Sequence, residues 1–453
     1  MQQAQAMSAT DGAEVIDFRE QKPDKYEEIE RWLSENYGLR YNVVKAKIEL
    51  RPAAAIDADR WEFISDYWVN STLRQLRQHE LVYVTQKGTE RMSLATSKAK
   101  LVEIIESDFV AKIDPIKNYL TSLPPVDAGA GYIEKLASTV TVKNDRPDGL
   151  EGAELMAWRK ECPEALWPEY LKRWLVATAA NAMSDAKCLN HTCLVLISPG
   201  QGKFKTTWLN NLCPKPLHQY LFSSQLNLNL KETVRLVSEM FIVNIDDQLG
   251  KLNRKDADAI KNMITMASVQ TQRPYQRYIE EEPHRASFCA SVNERDILVD
   301  STGNRRFLPF EIESIDIDTA QALNMDRVWA EAMAYLKEGF KYWFNQADME
   351  LLNRHNQQFR MLTMEEDLLG KYFNTPEWCR QYPLTVEPMT NTDIMGYLTK
   401  RALDDSGLRA PIDGLRLNRA LLSMGFERKQ RTYEGKARVR CWLMSKTNIQ
   451  VVH

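Results

Sequence analysis

The 453-residue sequence is poor in the features that mark several protein classes. No apolar run approaches the ~20 residues a membrane-spanning helix needs, so no membrane role is expected. The first residues, MQQAQAMSATDGAEV, hold no basic stretch followed by an apolar one, and no secretory signal is read there. Cysteine is scarce and unpatterned. Cys162, Cys188, Cys193, Cys213, Cys289, Cys379 and Cys441 form no C-x-x-C pair, and no matching ligand pair follows Cys188 and Cys193. An odd, scattered set reads as reduced thiols in a cytoplasmic protein, not as a disulfide framework or zinc site. An excess of either charge is also missing. With 59 Lys+Arg against 62 Asp+Glu the net charge is −3, so any affinity for nucleic acid must come from local patches. Internal repeats and low-complexity segments are absent. What is present, 44% hydrophobic and 27% charged residues, is ordinary for a globular chain of two to four domains.

Residues 1–25 are polar and without periodicity and read as a mobile tail. Residues 26–149 read as an α-rich N-terminal domain with a short sheet. There DKYEEIERWLSENYGL is expected to be a helix capped by Asp24 and stopped at Gly38, and YNVVKAKIEL a strand. STLRQLRQHEL, KAKLVEIIESDFVAK and PIKNYLTSLP are expected to be helices, and no cluster in this region points to chemistry. The texture changes at residues 150–345, where PEYLKRWLVATAANAMSD has a long helix pattern. Residues 346–385 form a helical connector. Residues 386–453 combine two helix patterns, NTDIMGYLTKRALDD and LRLNRALLSMGF, with a hairpin signal around Glu434-Gly435.

Chemistry concentrates in LVLISPGQGKFKTTWL, residues 194–209. An apolar strand, a glycine-bearing loop and a helix start follow one another. In that context backbone N–H groups and a helix N-terminus cradle phosphates. The usual G-x-x-x-x-G-K-[ST] spacing nevertheless fails. With Lys205-Thr206 at its end, the glycine positions fall on Pro199 and Phe204. With Lys203 there, the next residue is Phe204, which has no hydroxyl for a metal. Lys205-Thr206 keeps the lysine–hydroxyl order, and Gly200 and Gly202 keep much of the loop's freedom. Phe204 fits only if its backbone adopts a compatible angle. A lysine-bearing surface turn is the plainer reading.

Three further elements bear on this one. MFIVNIDDQ delivers Asp246 and Asp247 at the end of an apolar run, which suits Mg2+ and a polarised water. RASFCASVNERD ends an apolar stretch in Asn293, an amide able to orient an attacking water. DSTGNRRF sets Arg305 and Arg306 after a turn, the form of an arginine finger reaching a neighbour's γ-phosphate. A strand ending in an acidic turn and a solvated arginine pair are the plain alternatives.

Together these residues, from about Pro115 to Phe310, resemble the virulence-associated E family, which belongs with superfamily 3 helicases and their AAA+-like ATPase core. The resemblance implies an α/β fold: a P-loop ATPase core between the α-rich N-terminal domain and a C-terminal winged-helix-like module. The family loop is similar to P-Q-G-x-G-K-[ST]-T. Gly200 stands for its proline, Gln201 and Gly202 match, Lys203 fills the variable position and Phe204 replaces the last glycine. Lys205, Thr206 and Thr207 match its end. The resemblance therefore implies ATP and Mg2+ as ligands, with Lys205 on the phosphates and Lys203 a spare charge near them. Thr206 and Asp246 would hold the metal, Asp246 through water. Asp247 would polarise the attacking water, Asn293 would act as sensor, and Arg305 or Arg306 as the finger in trans.

Between the Asp pair and Asn293, Arg273, Tyr275, Arg277 and Tyr278 interleave cations and aromatic rings. This suits phosphate tracking and base stacking on single-stranded DNA; in superfamily 3 helicases this interval holds a pore element. From Leu415 on, Arg416, Arg419, Arg428, Lys429, Arg431, Lys436, Arg438, Arg440 and Lys446 face only Glu427 and Glu434, a balance of 9 − 2 = +7. Such a patch is an electrostatic footprint for DNA. The function expected is an ATP-dependent DNA helicase or translocase of a phage or mobile element, a ring-forming homo-oligomer. No primase metal motif is present, so a primase would be a separate partner. The alternatives are an ATPase that remodels or senses a partner in phage interference, and a nucleotide-binding DNA tether with little turnover.

Overall fold

The computed structural model describes residues 16–18, 22–54, 61–85, 88–145, 151–200, 202–228, 231–251, 254–271, 279–298, 304–381, 384–406, 412–433 and 436–447. Its centre is a six-stranded, parallel-rich sheet: β1 (Val140–Val142), β2 (Cys193–Ile197), β3 (Leu221–Ser224), β4 (Ile242–Asp246), β5 (Ser287–Val292) and β6 (Phe307–Ile315). The order across the sheet is β3-β4-β5-β2-β6-β1. All pairs are parallel except β6 with β1. Every residue of β2 is buried, as an unbroken apolar run implies for a strand covered on both faces. Alternate residues divide between the two faces. Leu194, Leu196, Ile242, Cys289, Leu308 and Phe310 enter one core; Cys193, Val195, Val243, Ile245, Phe288 and Ala290 enter the other.

The expected long helix is α1 (Pro163–Met183), and it lies on the first of these faces. Its sequence carries little polar surface, and thirteen of its residues are buried. Two of the polar groups it takes inside bond to the sheet, while the Tyr170 hydroxyl has no hydrogen-bond partner among the described residues. Trp174 Nε1 donates to the Phe288 carbonyl at 3.0 Å and Asn181 Nδ2 to the Ala286 carbonyl at 3.1 Å. These bonds tie α1 to the β5 strand and the residue before it. Helix α2 (Lys205–Asn211) is held by Trp208, fully buried, whose indole N–H donates to Thr139 Oγ1 at 2.9 Å. Truncating Trp208 to alanine costs about 3–5 kcal/mol and frees the helix that begins at Lys205.

The N-terminal region departs from its expected elements. Asp24 caps the helix Lys25–Asn36, accepting from the Tyr26 and Glu27 amides. The helix ends at Asn36, not at Gly38, because Tyr37–Asn42 pairs antiparallel with Lys47–Pro52. YNVVKAKIEL is thus not one strand but the end of one, a turn and the start of the next. The helix of KAKLVEIIESDFVAK stops at Ile105. Pro115–Ser122 is a helix as expected, and Asp66–Gln78 is a helix, but it stops short of the expected end because Glu80–Thr85 is a strand. The N-terminal strands form a three-stranded and a four-stranded sheet, more sheet than the expected short one.

Toward the C-terminus, the strands Arg428–Tyr433 and Lys436–Met444 pair antiparallel, with Glu387–Met389 on the far side of the second. The helices Met364–Tyr372, Asn391–Ser406 and Gly414–Ser423 pack with them around Leu369, Leu398, Leu417 and Trp442. Helix α3 (Gln346–Gln357) packs against the central sheet instead. Its Asn356 Nδ2 donates to the Asn304 and Phe307 carbonyls. Among the described residues no helix is long and apolar enough to cross a membrane. All seven cysteines are free and six are buried.

Candidate nucleotide site

The parallel strands point their C-terminal ends to one edge of the sheet, the edge at which open α/β sheets take ligands. The order β4-β5-β2 brings three chain segments together there. Residues 198–204 follow β2, Asp246 and Asp247 end β4, and Ser291 and Asn293 lie at the end of β5.

Three described residues of the loop take positive φ. Gly200 has φ +106°, Gly202 φ +88° and Phe204 φ +57°, ψ +17°. A Cβ at either glycine would meet nothing within 4 Å, so the positive φ, not space, selects glycine at both. Left-handed residues in such a loop turn nearby N–H groups inward, as anion-binding concavities do. Phe204 takes the left-handed conformation that its position demands, at a cost of about 1–2 kcal/mol for a side-chain-bearing residue. It recovers little by packing, since the ring is 53% exposed.

Lys205, the first residue of α2, is 7% exposed. Its Nζ donates to Ser198 Oγ at 2.7 Å and Asn293 Oδ1 at 3.0 Å. Burial pushes the amine's pKa below its ordinary value and Lys203 pushes the same way, against the Asp247 and Asp246 carboxylates. The amine is thus a desolvated cation held by two neutral oxygens, well suited to an incoming anion. Lys203 turns away, its Nζ donating to the Glu313 carbonyl on β6 at 2.8 Å. Thr207 is exposed, and Gln201 lies outside the described residues.

Thr206 Oγ1 donates to Asp246 Oδ1 at 2.9 Å, Ser291 Oγ donates to the same oxygen at 2.6 Å, and the two hydroxyls are 2.9 Å apart. Three oxygen–oxygen contacts share two hydroxyl protons, so one contact has none. A hard cation with oxygen ligands relieves such crowding, and Thr206 with Asp246 fits Mg2+. Asn293 joins the two halves. Its carbonyl accepts from Lys205 and its Nδ2 donates to Asp247 Oδ1 at 3.1 Å. Asp247 has φ +46°, tolerable for aspartate, and its N–H donates to the Ser291 carbonyl at 2.9 Å. Ser198 and Ser291 were not legible as site residues, because each closes an apolar run as serines commonly do. The one available signal is that Ser291 precedes Asn293 by two and so shares its side of the strand.

Arg305 and Arg306 do not join this cluster. They lie in the 3-10 turn Asn304–Arg306 just before β6, whose Phe307 pairs with Cys193, the first residue of β2. Five strand residues at ~3.3 Å each, roughly 15 Å, separate that edge from the loop, more than an arginine side chain spans. Arg305 is exposed and Arg306 half-buried. Neither forms an ion pair among the described residues, and Arg306 Nε lacks a hydrogen-bond partner.

Of the expected DNA contacts, Arg273, Tyr275, Arg277 and Tyr278 lie outside the described residues. The flanking strands Ser268–Thr271 and Glu280–Pro283 pair antiparallel. Arg428, Lys429 and Arg440 are exposed on the C-terminal hairpin. Lys429 pairs with Glu427 at 2.7 Å, and Arg428 lies over the Trp442 ring at 5.5 Å. The side chains of Arg431, Lys436 and Arg438 lie outside the described residues.

Comparison with known proteins gives two likenesses. No curated protein matches the chain. Among solved structures, the apo structure of the NrS-1 C terminal region (305-718) is 13% identical at TM-score 0.44, covering 94% of this chain and 100% of that one. An A form apo structure of the same region is 11% identical at TM-score 0.47, with the same coverage. Residues 155–361 match the family model of the virulence-associated protein E-like domain. That span holds the loop, the aspartate pair, Asn293 and both arginines. The chain therefore carries a virulence-associated protein E-like domain.

Proposed function

We propose that this protein is an ATP-dependent DNA helicase or translocase serving replication of a phage or mobile element, working as a homo-oligomeric ring. The observation that carries the reading is the convergence of Lys205, Thr206, Asp246, Asp247 and Asn293 at the C-terminal edge of the sheet. In this reading Lys205 and the N–H groups of residues 200–206 bind the ATP phosphates. Mg2+, held by Thr206 and Asp246, would supply neutralisation of phosphate charge. Asp247 accepts a hydrogen bond from the attacking water and Asn293 fixes that carboxylate. The water oxygen bonds to the γ-phosphorus as the β–γ bridge breaks, giving ADP and phosphate. Arg305 or Arg306 acts on the nucleotide of the adjacent copy, since the sheet keeps both from their own. The exposed cations of the C-terminal hairpin, on a winged-helix-like module, and the Arg273–Tyr278 segment serve DNA.

A second reading, a nucleotide-gated DNA tether with little turnover, is favoured by the left-handed Phe204 and the short Asp247. Steady-state ATP hydrolysis with and without single-stranded DNA separates the two. A motor shows stimulation by DNA that vanishes in Lys205→Ala. Tight nucleotide binding with no turnover on any DNA would sink the motor.

A further inference from the structure

Phe204 pays for its place in the loop with a strained backbone and gains little from its neighbours, the ring being 53% exposed one residue from the buried Lys205. Its complement lies at the opposite edge of the same sheet. A cavity of about 270 Å3 opens there beside Arg305 and Arg306. Leu189, Tyr342, Trp343, Phe344 and Met349 supply most of its apolar wall, and Trp343 is itself 54% exposed. Asn190 and Thr192, immediately before β2, also line it, so the cavity sits at the start of the strand whose other end leads to Phe204.

One copy cannot bring the two together, because β2 lies between them. Two copies in head-to-tail contact can, since such a heterologous contact joins unlike surfaces of the same chain. Opposite charges lie near the two features. The cavity's rim carries two arginines without an ion pair among the described residues, while the loop edge presents Asp246 and Asp247 beside Phe204.

We propose that Phe204 of one copy inserts into the cavity at Tyr342, Trp343 and Phe344 of the next, anchoring the subunit contact beside the phosphate-binding lysine. The proposal rests on the nucleotide-site reading and adds to it a reason for a side chain where glycine would be unstrained. Glycine would satisfy the loop but could not anchor a neighbour; aromatic residues are enriched at interfaces, and hot spots sit in desolvated pockets. Because the same residue shapes the loop, a ligand that fixes the loop also fixes the anchor, and assembly follows nucleotide binding.

The test uses the full chain, a fluorescent ATP analogue with Mg2+, and sedimentation velocity with and without it. Phe204→Gly, compared at analogue concentrations that saturate it, should assemble about tenfold or more weakly than the parent. Trp343→Ala, an exposed change on the other partner, should show the same loss, and the double variant should be no worse than either single one. Variants that both bind and assemble like the parent would overturn the anchor and leave the nucleotide site standing. So would a parent that binds the analogue and stays monomeric. Loss of binding in Phe204→Gly with normal assembly of Trp343→Ala would assign Phe204 to its own loop alone. A parent that binds no nucleotide would overturn the underlying reading and the anchor with it.

Discussion

The two edges of the central sheet are built on opposite principles. At the C-terminal edge the chain completes its own polar network. Lys205 is held by Ser198 and Asn293, Asn293 by Asp247, and Asp246 by Thr206 and Ser291. At the N-terminal edge Arg305 and Arg306 stand without an ion pair among the described residues, beside an open aromatic cavity. Arg305 is exposed and Arg306 half-buried, so both are open to a partner. In the proposed reading one edge is a finished site and the other is half of one. On that reading, the difference teaches that the functional unit extends past one copy of the chain.

The largest effect that would break this comparison is at Lys205. Lys205→Ala should reduce nucleotide binding and turnover to background, while Lys203→Ala, whose amine serves the Glu313 carbonyl, should keep most of both. The reverse result, read by equilibrium binding and phosphate release, would exchange the roles of the two lysines. Next, Arg305→Ala and Arg306→Ala should spare nucleotide affinity, and the one that is the finger should lower turnover by ~10^3-fold. Mixing the Arg305/Arg306 double variant with Lys205→Ala subunits should restore part of the lost turnover, since each then supplies the edge the other lacks. Two inactive proteins that stay inactive when mixed would place the arginines outside the reaction.

A smaller effect concerns the support between the edges. His355 on α3 is 7% exposed and its Nε2 donates to the Pro309 carbonyl of β6 at 2.7 Å. Burial holds its pKa below the ordinary 6.5, outweighing that hydrogen bond. Unfolded, the imidazole takes up a proton near pH 6.5 that the folded form refuses. Its contribution to stability is full above that pH and falls as pH drops below it toward the folded pKa. Urea midpoints should decline from pH 7.5 to 5.5, and His355→Gln should flatten part of that decline. His284, shifted the same way by burial, keeps the remainder. The smallest effect is at Phe204, where glycine should change the stability of the nucleotide-free monomer by at most about 1 kcal/mol. Relief of strain and the looser unfolded chain oppose each other there.

The sequence made the local parts legible. Asp24 announced its cap, the apolar run ending at Ser198 its strand, and Asp246, Asp247 and Asn293 their places at strand ends, because each depends on a few adjacent residues. What it concealed depends on neighbours far along the chain. Gly38 read as a helix stop, but pairing with Arg51 claims it for a strand. Ser198 and Ser291 look like any serines closing apolar runs until the sheet order places them beside Lys205 and Asp246. The distance between the arginines and the loop is likewise invisible in a sequence. It follows from the register of β6 on β2.

That register also bears on synthesis. The strand that leads into the loop has as neighbours β5 and β6, whose Phe288 and Phe307 flank Cys193 but leave the ribosome long after it. Until β6 emerges, the loop strand has an open side, and a nascent chain stopped short of it has no finished phosphate cradle. On the nucleotide-site reading proposed above, ATP is captured only by chains that have been made through the arginine turn and the strand beyond it.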